Sequence, residues 1–148
     1  MHHLWSKGVY EISTDPARID ARLVQEFLTN TYWAKGIPAE TVQRSIENSI
    51  SFGVFDGRHQ VGFARIISDL ATFAYLADVF ILPAYRGRGL SRWLMECIVS
   101  HPDLQGLRRW MLATKDAHGL YAKFGFTVIR SPETWMEIHR PDIYARGV

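Results

Sequence analysis

The stretch VFILPAYRGRGLS, residues 79–91, contains the features that decide the fold. Its first half is apolar, as in a strand covered on both faces, and Pro83 ends that strand. The turn RGRG follows at residues 86–89. Apolar residues then recur with a helical period at Leu90, Trp93, Leu94, Cys97 and Ile98. The stretch therefore predicts a strand, a glycine-rich turn and a helix in immediate succession.

The glycine turn is a candidate site for a phosphate group. Glycine has no Cβ atom, so a phosphate can approach the backbone N–H groups at the start of a helix, where the helix dipole is positive. Arg86 and Arg88 add positive charge to the turn. The alternative is a tight structural turn with solvated arginines. The sequence carries neither the P-loop pattern nor the glycine pattern of a dinucleotide-binding fold.

The rest of the chain alternates between the periods of helices and strands. Helices begin at the N-cap pair Asp15-Pro16 and at Pro38. Strands are predicted at about 9–12, 50–54, 60–67, 72–82 and 108–113. A short helix near 117–124 and two closing strands at about 126–129 and 135–139 follow. This order predicts an α/β domain with a central mixed, mostly antiparallel sheet of about six or seven strands, flanked by about four helices.

Length and composition exclude several classes of protein. The 148 residues fit a single domain spanning 1–148, and 47% hydrophobic with 13% aromatic residues exceeds what a disordered chain carries. No apolar run approaches the roughly 20 residues of a membrane span, so no membrane partner is expected. The net charge of +2 argues against a nucleic-acid partner. The lone Cys97 and the lack of a signal-peptide pattern predict a cytoplasmic protein.

A second block, AHGLYAKFGF at residues 117–126, completes a resemblance to a known family. Residues 79–91 resemble the acetyl-CoA signature of the GNAT acetyltransferase superfamily. The second block is similar to that family's Ala-x-x-Leu-Tyr-x-Lys-x-Gly-Phe. The sequence departs from the family pattern at Ser91, where glycine or alanine is usual, and at Thr114, where many members carry asparagine. The resemblance implies the GNAT fold and an N-acetyltransferase that uses acetyl-CoA.

The resemblance also implies which residues hold acetyl-CoA. Backbone groups of Phe80 and Ile81 would pair with the pantetheine arm like an added strand. The N–H groups of residues 87–91 would hold the pyrophosphate, with the two arginines as electrostatic support. The implied cosubstrate-binding residues are Phe80, Ile81, Arg86, Gly87, Arg88, Gly89, Leu90, Ser91 and Thr114.

The implied chemistry is direct attack of an amine on the thioester in a ternary complex. Tyr121 falls on the family's acid position. A tyrosine of pKa about 10 is a weaker acid than a thiol of about 8.5, so we expect hydrogen bonding to sulfur to matter more than proton transfer. Asp78 interrupts an apolar strand and is the first candidate for the general base, before Glu137 and a water relay, because burial makes a carboxylate a stronger base. The alternatives are a core role for Tyr121 and a structural pairing of Asp78 with an arginine.

The acceptor is expected to be a small-molecule amine. Tyr32 and Trp33 lie between the first two predicted helices, where this family builds one wall of the acceptor site, and Glu137 lies on the last predicted strand. No metal is expected, because the only adjacent histidines are the terminal His2-His3. Two other functions stay open, a catalytically idle acyl-CoA-binding sensor and a nucleic-acid-binding domain. Dimerisation is common in the family, so a homodimer also stays open.

Overall fold

The computed structural model describes residues 1–145, which form one mixed sheet with helices packed on both faces. The strands are β1 (Leu4–Lys7), β2 (Tyr10–Ser13), β3 (Ile50–Asp56), β4 (His59–Ser68), β5 (Phe73–Ile81) and β6 (Arg109–Leu112). The helices are α1 (Ala21–Leu28), α2 (Ala39–Glu47), α3 (Leu90–Val99) and α4 (His118–Ala122). None of these helices is both long and apolar enough to cross a bilayer.

The strands lie in the sheet in their chain order, β1 to β6. Every neighbouring pair is antiparallel except β5 and β6, which are parallel because α3 connects them in a crossover. The predicted α/β fold is confirmed, with six strands in a mostly antiparallel sheet and four α-helices among the described residues.

The amino-terminal residues differ from the prediction in two respects. Residues 4–7 form β1, which the sequence pattern did not reveal, and β1 pairs with β2. Asp15 and Pro16 begin a three-residue 3-10 turn instead of the first helix. The carboxylate of Asp20 caps α1, because its Oδ1 accepts a hydrogen bond from the Leu23 N–H at 3.0 Å. The first helix therefore begins later than predicted, at Ala21.

The two closing strands predicted at 126–129 and 135–139 are wrong for residues 1–145. After α4 the chain turns at Gly125, whose φ is +93°, and the Phe126 ring packs edge-on against Trp110 of β6. Neither segment forms a backbone hydrogen bond with β6 in the described part of the chain. A period-two pattern specifies an extended chain, but a strand also requires a neighbouring strand to satisfy its backbone groups.

Strand β5 contains a bulge that changes which face its side chains occupy. Its register with β4 moves from Arg65↔Ala77 to Phe63↔Phe80, so three steps along β5 match two along β4. Asp78 lies in the bulge with a φ of +57°. This left-handed conformation is uncommon outside glycine, and aspartate is among the residues that tolerate it best. The extra residue shifts the alternation of side chains by one position. Residues after the bulge therefore face the opposite side of the sheet from the one that regular alternation would give them.

The two hydrophobic clusters show the effect of this bulge. Leu76 and Phe80 are an even number of residues apart and would share a face of a regular strand. Instead, Leu76 packs in the cluster that α3 forms on one face, and Phe80 packs with α1 and α2 on the other face. Phe80 stacks on Phe27 of α1 with a centroid distance of 3.9 Å. The bulge thus lets β5 contribute large side chains to both cores.

The bulge also separates β5 from β6. Parallel pairing between the two strands runs from Phe73↔Arg109 to Leu76↔Leu112 and ends there. Residues 77–81 of β5 continue beside β4 but have no partner on the β6 side among the described residues. The sheet therefore opens between β5 and β6 towards the glycine turn.

Replacing Gly62 by alanine is expected to destabilise the protein. A Cβ atom at this position of β4 would lie 2.6 Å from Ile81 Cδ1, 3.0 Å from Val54 Cγ2 and 3.1 Å from the Phe80 carbonyl oxygen. Overpacking of this kind costs about 1–3 kcal/mol. The matched control is Gly119→Ala in α4, where a Cβ would meet no atom within 4 Å. Urea unfolding of both variants tests this, and equal stabilities for the two would contradict it.

Candidate active site

The glycine turn presents its backbone N–H groups outward. Gly87 and Gly89 have φ values of +79° and +77°, which glycine adopts without strain. The N–H groups of residues 87–91 have no hydrogen-bond acceptor within residues 1–145. A Cβ at either glycine would meet no protein atom within 4 Å, so the space above the turn is open. These donors and the start of α3 form a cradle that fits a phosphate or pyrophosphate.

The two arginines of the turn are held by the chain itself. Arg86 Nε donates to the Ile81 carbonyl oxygen at 3.0 Å. Arg88 donates to the Tyr10 hydroxyl at 2.8 Å, and its guanidinium lies over the Tyr85 ring at 5.0 Å. Both cations therefore stand beside the cradle in fixed positions, with Arg88 exposed to solvent. They supply positive potential there without a flexible arm.

A cleft of about 320 Å³ continues from the turn along the free part of β5. Its walls come from α1 and the loop after it, from β5, from the glycine turn and α3, and from α4. The lining residues are Phe27, Thr31, Trp33, Val79, Phe80, Ile81, Arg86, Ser91, Ala117, Leu120 and Tyr121. The structure thus brings six of the predicted site residues to one cleft, which are Trp33, Phe80, Ile81, Arg86, Ser91 and Tyr121.

Tyr121 lines the cleft, and its surroundings change the pKa of its hydroxyl. It is only 8% exposed. Burial raises the pKa of its hydroxyl, and the nearby Tyr32 and Asp116 raise it further. The hydroxyl therefore keeps its proton throughout the physiological range of pH. Tyr121 therefore offers a hydrogen-bond donor to the cleft that it lines.

Asp78 forms an ion pair at the bulge. Its Oδ2 accepts from Arg65 Nε at 3.0 Å, and its Oδ1 accepts from the indole Nε1 of Trp33 at 3.0 Å. The side chains of Asp78 and Arg65 are 10% and 15% exposed. Arg65 also donates to the Ser49 hydroxyl at 3.1 Å. Both carboxylate oxygens are thus already engaged, and Asp78 is not among the residues that line the cleft.

Of the two aromatic residues after α1, Trp33 lines the cleft, whereas Tyr32 lies beside Trp33 and outside the cleft lining. Trp33 is fixed by its hydrogen bond to Asp78, and its ring meets Tyr32 edge-on at a centroid distance of 5.1 Å. The ammonium group of Lys115 lies 5.2 Å from the centre of the Tyr32 ring. This cation–π contact joins the loop after α1 to the loop before α4.

Three other predicted residues lie in different settings. Glu137 is exposed in the carboxyl-terminal segment and does not line the cleft. Thr114 Oγ1 accepts from the Ala117 N–H at 3.1 Å and so closes the turn that precedes α4. The Leu90 side chain is buried in the core beneath α3, which leaves its backbone N–H as the group that faces the cradle.

Sequence reasoning missed one aromatic residue of the cleft lining, Phe27, and three charged residues that lie near the predicted site residues. The Phe27 ring on α1 stacks on Phe80 and also lines the cleft. Arg65 lies on a predicted strand and carried no signal that it would face Asp78. Lys115 and Asp116 precede the second motif block, and their proximity to that block was the only available signal.

Two further groups do not fit catalysis or metal binding. Burial raises the pKa of the Cys97 thiol to about 12, so it carries no thiolate at neutral pH. Among the described residues, His3, His101 and Asp103 place potential ligand atoms within 4.8 Å of one another. However, His101 Nδ1 accepts from the Asp103 N–H at 3.0 Å, so the ring proton lies on Nε2. A metal-bound histidine instead donates from its second nitrogen, so this cluster does not fit a metal.

Comparison with known proteins assigns the family. A family model described as the acetyltransferase (GNAT) domain matches residues 47–128, which is more than half of the chain. The matched part contains the glycine turn, the bulge of β5 and Tyr121. The chain therefore belongs to the GNAT acetyltransferase family.

Individual relatives agree with this assignment. A crystal structure from Xanthomonas campestris pv. campestris, described as an acetyltransferase of the GNAT family, is 52% identical, with a TM-score of 0.91 over 95% of this chain and 99% of that one. An acetyltransferase by name from Gibberella zeae is 34% identical over 80% of this chain and 79% of its own length. A Clostridium acetobutylicum acetyltransferase with acetyl-CoA shares the fold at 15% identity, with a TM-score of 0.63 over 94% of this chain and 96% of that one.

Removing the Asp78 carboxylate is expected to cost much more stability than removing an exposed one. Asp78→Ala leaves the Arg65 guanidinium without its counter-ion and places alanine at a left-handed φ. The expected loss in the free energy of unfolding is about 3–5 kcal/mol, whereas Asp78→Asn keeps the shape and loses less. The control is Glu26→Ala, which breaks an exposed ion pair with Arg22 and should cost at most about 0.5 kcal/mol. Chemical denaturation that finds equal losses for Asp78→Ala and Glu26→Ala would disprove the role of the pair.

Proposed function

We propose that this protein transfers an acetyl group from acetyl-CoA to the primary amine of a small molecule by direct attack in a ternary complex. The observation that carries the proposal is the convergence of three features on one cleft. These are the cradle of free N–H groups at residues 87–91, the unpaired part of β5 and the largely buried side chain of Tyr121. The GNAT family to which the chain belongs uses acyl-CoA, and the Clostridium acetobutylicum structure contains acetyl-CoA.

The shape of the site supports a long cosubstrate with a phosphate end. The pyrophosphate would lie against the N–H groups of residues 87–91, beside Arg86 and Arg88. The pantetheine arm would follow residues 79–81, whose outer side lacks a strand partner among the described residues. Ser91 also lines this path and keeps the backbone N–H that a glycine or alanine would provide. The thioester would then reach the end of the cleft where Tyr121 lies.

The chain's own groups can serve each charge that the reaction develops. The amine nitrogen attacks the thioester carbon, the new C–N bond forms and the C–S bond breaks. A backbone N–H near Ile81 would stabilise the oxyanion. Tyr121 would donate a hydrogen bond to the leaving sulfur. Because its pKa is raised, full proton transfer to a thiolate is uphill by more than about 2 kcal/mol, so the hydrogen bond itself is the proposed contribution.

The proton of the amine needs an acceptor. Asp78 was the first candidate, yet its two oxygens already accept from Arg65 and Trp33. These contacts favour the alternative interpretation, in which Asp78 pairs with an arginine in a structural role. The same carboxylate also holds Trp33, which lines the cleft. Glu137 lies outside the cleft. We therefore assign the proton to water that enters the open cleft.

Tyr121→Phe is expected to lower turnover by about tenfold to a hundredfold, since it deletes one hydrogen bond to a charged leaving group. Acetyl-CoA affinity should stay within about twofold, because the cradle is untouched. The matched control is Tyr75→Phe on β5, which is outside the cleft lining. Calorimetric titration with acetyl-CoA and an amine-panel assay for free CoA thiol measure the two quantities. A large loss of affinity with intact turnover would contradict the assigned role.

Gly89→Ala is expected to weaken acetyl-CoA binding by at least about tenfold, because the Cβ would project into the cradle at a strained φ. Gly57→Ala is a matched control, because Gly57 has a φ of +61° in the hairpin turn between β3 and β4 and also has open space around it. Both variants carry the same backbone strain, and only the first changes the cradle. Equal affinities in the two calorimetric titrations would show that the turn does not hold the cosubstrate.

The same titrations separate the competing functions. Acetyl-CoA binding with acceptor-dependent thiol release supports the transferase, whereas binding without release for any amine supports an acyl-CoA sensor. Salt-sensitive affinity for an oligonucleotide that acetyl-CoA does not displace would support the nucleic-acid alternative. The partly exposed indole of Trp33, which lines the cleft, favours a cationic amine as acceptor. The single buried Cys97 is consistent with our placement of the protein in the cytoplasm.

A further inference from the structure

The guanidinium of Arg88 is held by three contacts although its side chain is exposed. Its Nη1 donates to the Tyr10 hydroxyl at 2.8 Å, and its Nη2 donates to the Ala84 carbonyl oxygen at 3.3 Å. Its Cζ atom lies 5.0 Å from the centre of the Tyr85 ring, within the range of a cation–π contact. An exposed arginine normally samples many rotamers. These contacts therefore select one position for the Arg88 side chain.

The two tyrosines that hold Arg88 come from separate parts of the chain. Tyr10 is the first residue of β2 and lies opposite Asp56 at the end of β3. Tyr85 is the last residue of the 3-10 turn Pro83–Tyr85, which precedes the glycine turn. The two rings meet edge-on with a centroid distance of 6.5 Å. Contacts of these rings therefore connect β2 and β3 to the glycine turn.

Asp56 holds the Tyr85 ring in place. The Tyr85 hydroxyl donates to Asp56 Oδ2 at 3.2 Å. This hydrogen bond raises the pKa of the Tyr85 hydroxyl, and partial burial raises that pKa further. The hydroxyl therefore stays protonated at neutral pH and remains a donor to Asp56. The Tyr10 hydroxyl instead accepts from Arg88, so the two tyrosines contribute different contacts.

Arg88 keeps donors available for a ligand. Two of its five N–H groups donate to protein oxygens, and the other three have no acceptor within residues 1–145. Arg88 lies between Gly87 and Gly89, whose N–H groups belong to the phosphate cradle. A guanidinium with free donors beside this cradle can bond directly to phosphate oxygens. Its fixed position lowers the cost of that contact, because the side chain needs no further ordering when the ligand binds.

Arg86 does not depend on a distant residue in this way. Its Nε donates to the Ile81 carbonyl oxygen, which lies five residues earlier in the chain. Arg88 instead depends on a hydroxyl that is 78 residues away in sequence. Loss of the Tyr10 hydroxyl would therefore release Arg88 and leave Arg86 in place.

We propose that Tyr10 is a positioning residue for cosubstrate binding, because its hydroxyl holds the Arg88 guanidinium ready to meet the pyrophosphate of acetyl-CoA. This inference rests on the proposed function, since it adds Tyr10 to the phosphate end of the same site. Tyr10 acts through Arg88 and has no role in the transfer step. It also lies outside residues 47–128, the part of the chain that the family model matches. The family pattern alone would therefore not identify this residue.

Tyr10→Phe tests the proposal, since it keeps the ring and its contact with Tyr85 and removes only the hydroxyl. We expect the dissociation constant of acetyl-CoA to rise about threefold to tenfold, which corresponds to ordering one flexible side chain on binding. Turnover at saturating acetyl-CoA should stay unchanged, because the Tyr121 end of the cleft is untouched. Calorimetric titration and the assay for free CoA thiol measure the two quantities. Tyr75→Phe is the matched control and should change neither.

A double-mutant cycle with Arg88→Gln separates positioning from a structural role. Arg88→Gln should weaken acetyl-CoA binding by about tenfold or more, because a charged hydrogen bond to phosphate is lost. In the Arg88→Gln background, Tyr10→Phe should have no further effect on affinity, since no guanidinium is left to position. A general disturbance of β2 would instead weaken binding equally in both backgrounds.

The possible outcomes distinguish this inference from the proposed function. A wild type that binds acetyl-CoA no more tightly than Tyr10→Phe overturns the inference and leaves the proposed function standing. An effect of Tyr10→Phe that persists in the Arg88→Gln background also overturns the inference, because Tyr10 would then act without Arg88. A wild type that binds no acetyl-CoA overturns both.

Discussion

The carboxylate of Asp78 joins three parts of the chain at the point where β5 changes its course. It pairs with Arg65 on β4 and accepts a hydrogen bond from Trp33 in the loop after α1. A buried pair of this kind is poor evidence for net stability, because the desolvation of both ions offsets their attraction. Its value lies in specificity, since each partner buried alone would be costly. The bulge at Asp78 therefore has one favourable arrangement. In that arrangement Asp78 also holds Trp33, which lines the cleft.

The geometry of the cleft follows from that bulge. One extra residue in β5 moves Phe80 to the face of α1 and α2 and ends the pairing of β5 with β6 after Leu76. The strands then diverge, and the free edge of β5 leads to the glycine turn. Without the bulge, β5 and β6 could continue side by side, and residues 77–81 would have no open side facing the cleft. The bulge, which the ion pair of Arg65 and Asp78 holds in place, thus opens the cleft between β5 and β6. The side chains only line that opening.

The sequence predicted those features of the structure that depend on residues close together in the chain. The glycine turn, α3 and the parallel crossover follow from residues 79–98, and Tyr121 was found because its motif block is continuous. Contacts between distant residues were not accessible. The spacing of Asp78 in an apolar strand indicated an unusual residue, but the partner Arg65 belongs to a different strand. Likewise, Asp15 does cap a turn, but that turn is the short 3-10 turn Pro16–Arg18. The sequence pattern did not reveal that Asp20 caps α1 instead.

The two closing strands that the sequence predicted show this limit most clearly, and the same limit affects α4. Period-two patterning at 135–139 predicts an extended chain but leaves the identity of its neighbour open. Helix α4 has only five residues, far fewer than the roughly 12–15 that an isolated helix needs, so its position depends on what packs around it. On one side it meets the cleft through Tyr121, and on the other it borders a second opening of about 1370 Å³ beside β6. There the Phe126 ring meets both Tyr121 and Trp110, so the chain beyond α4 and the strand β6 together hold the Tyr121 ring in place.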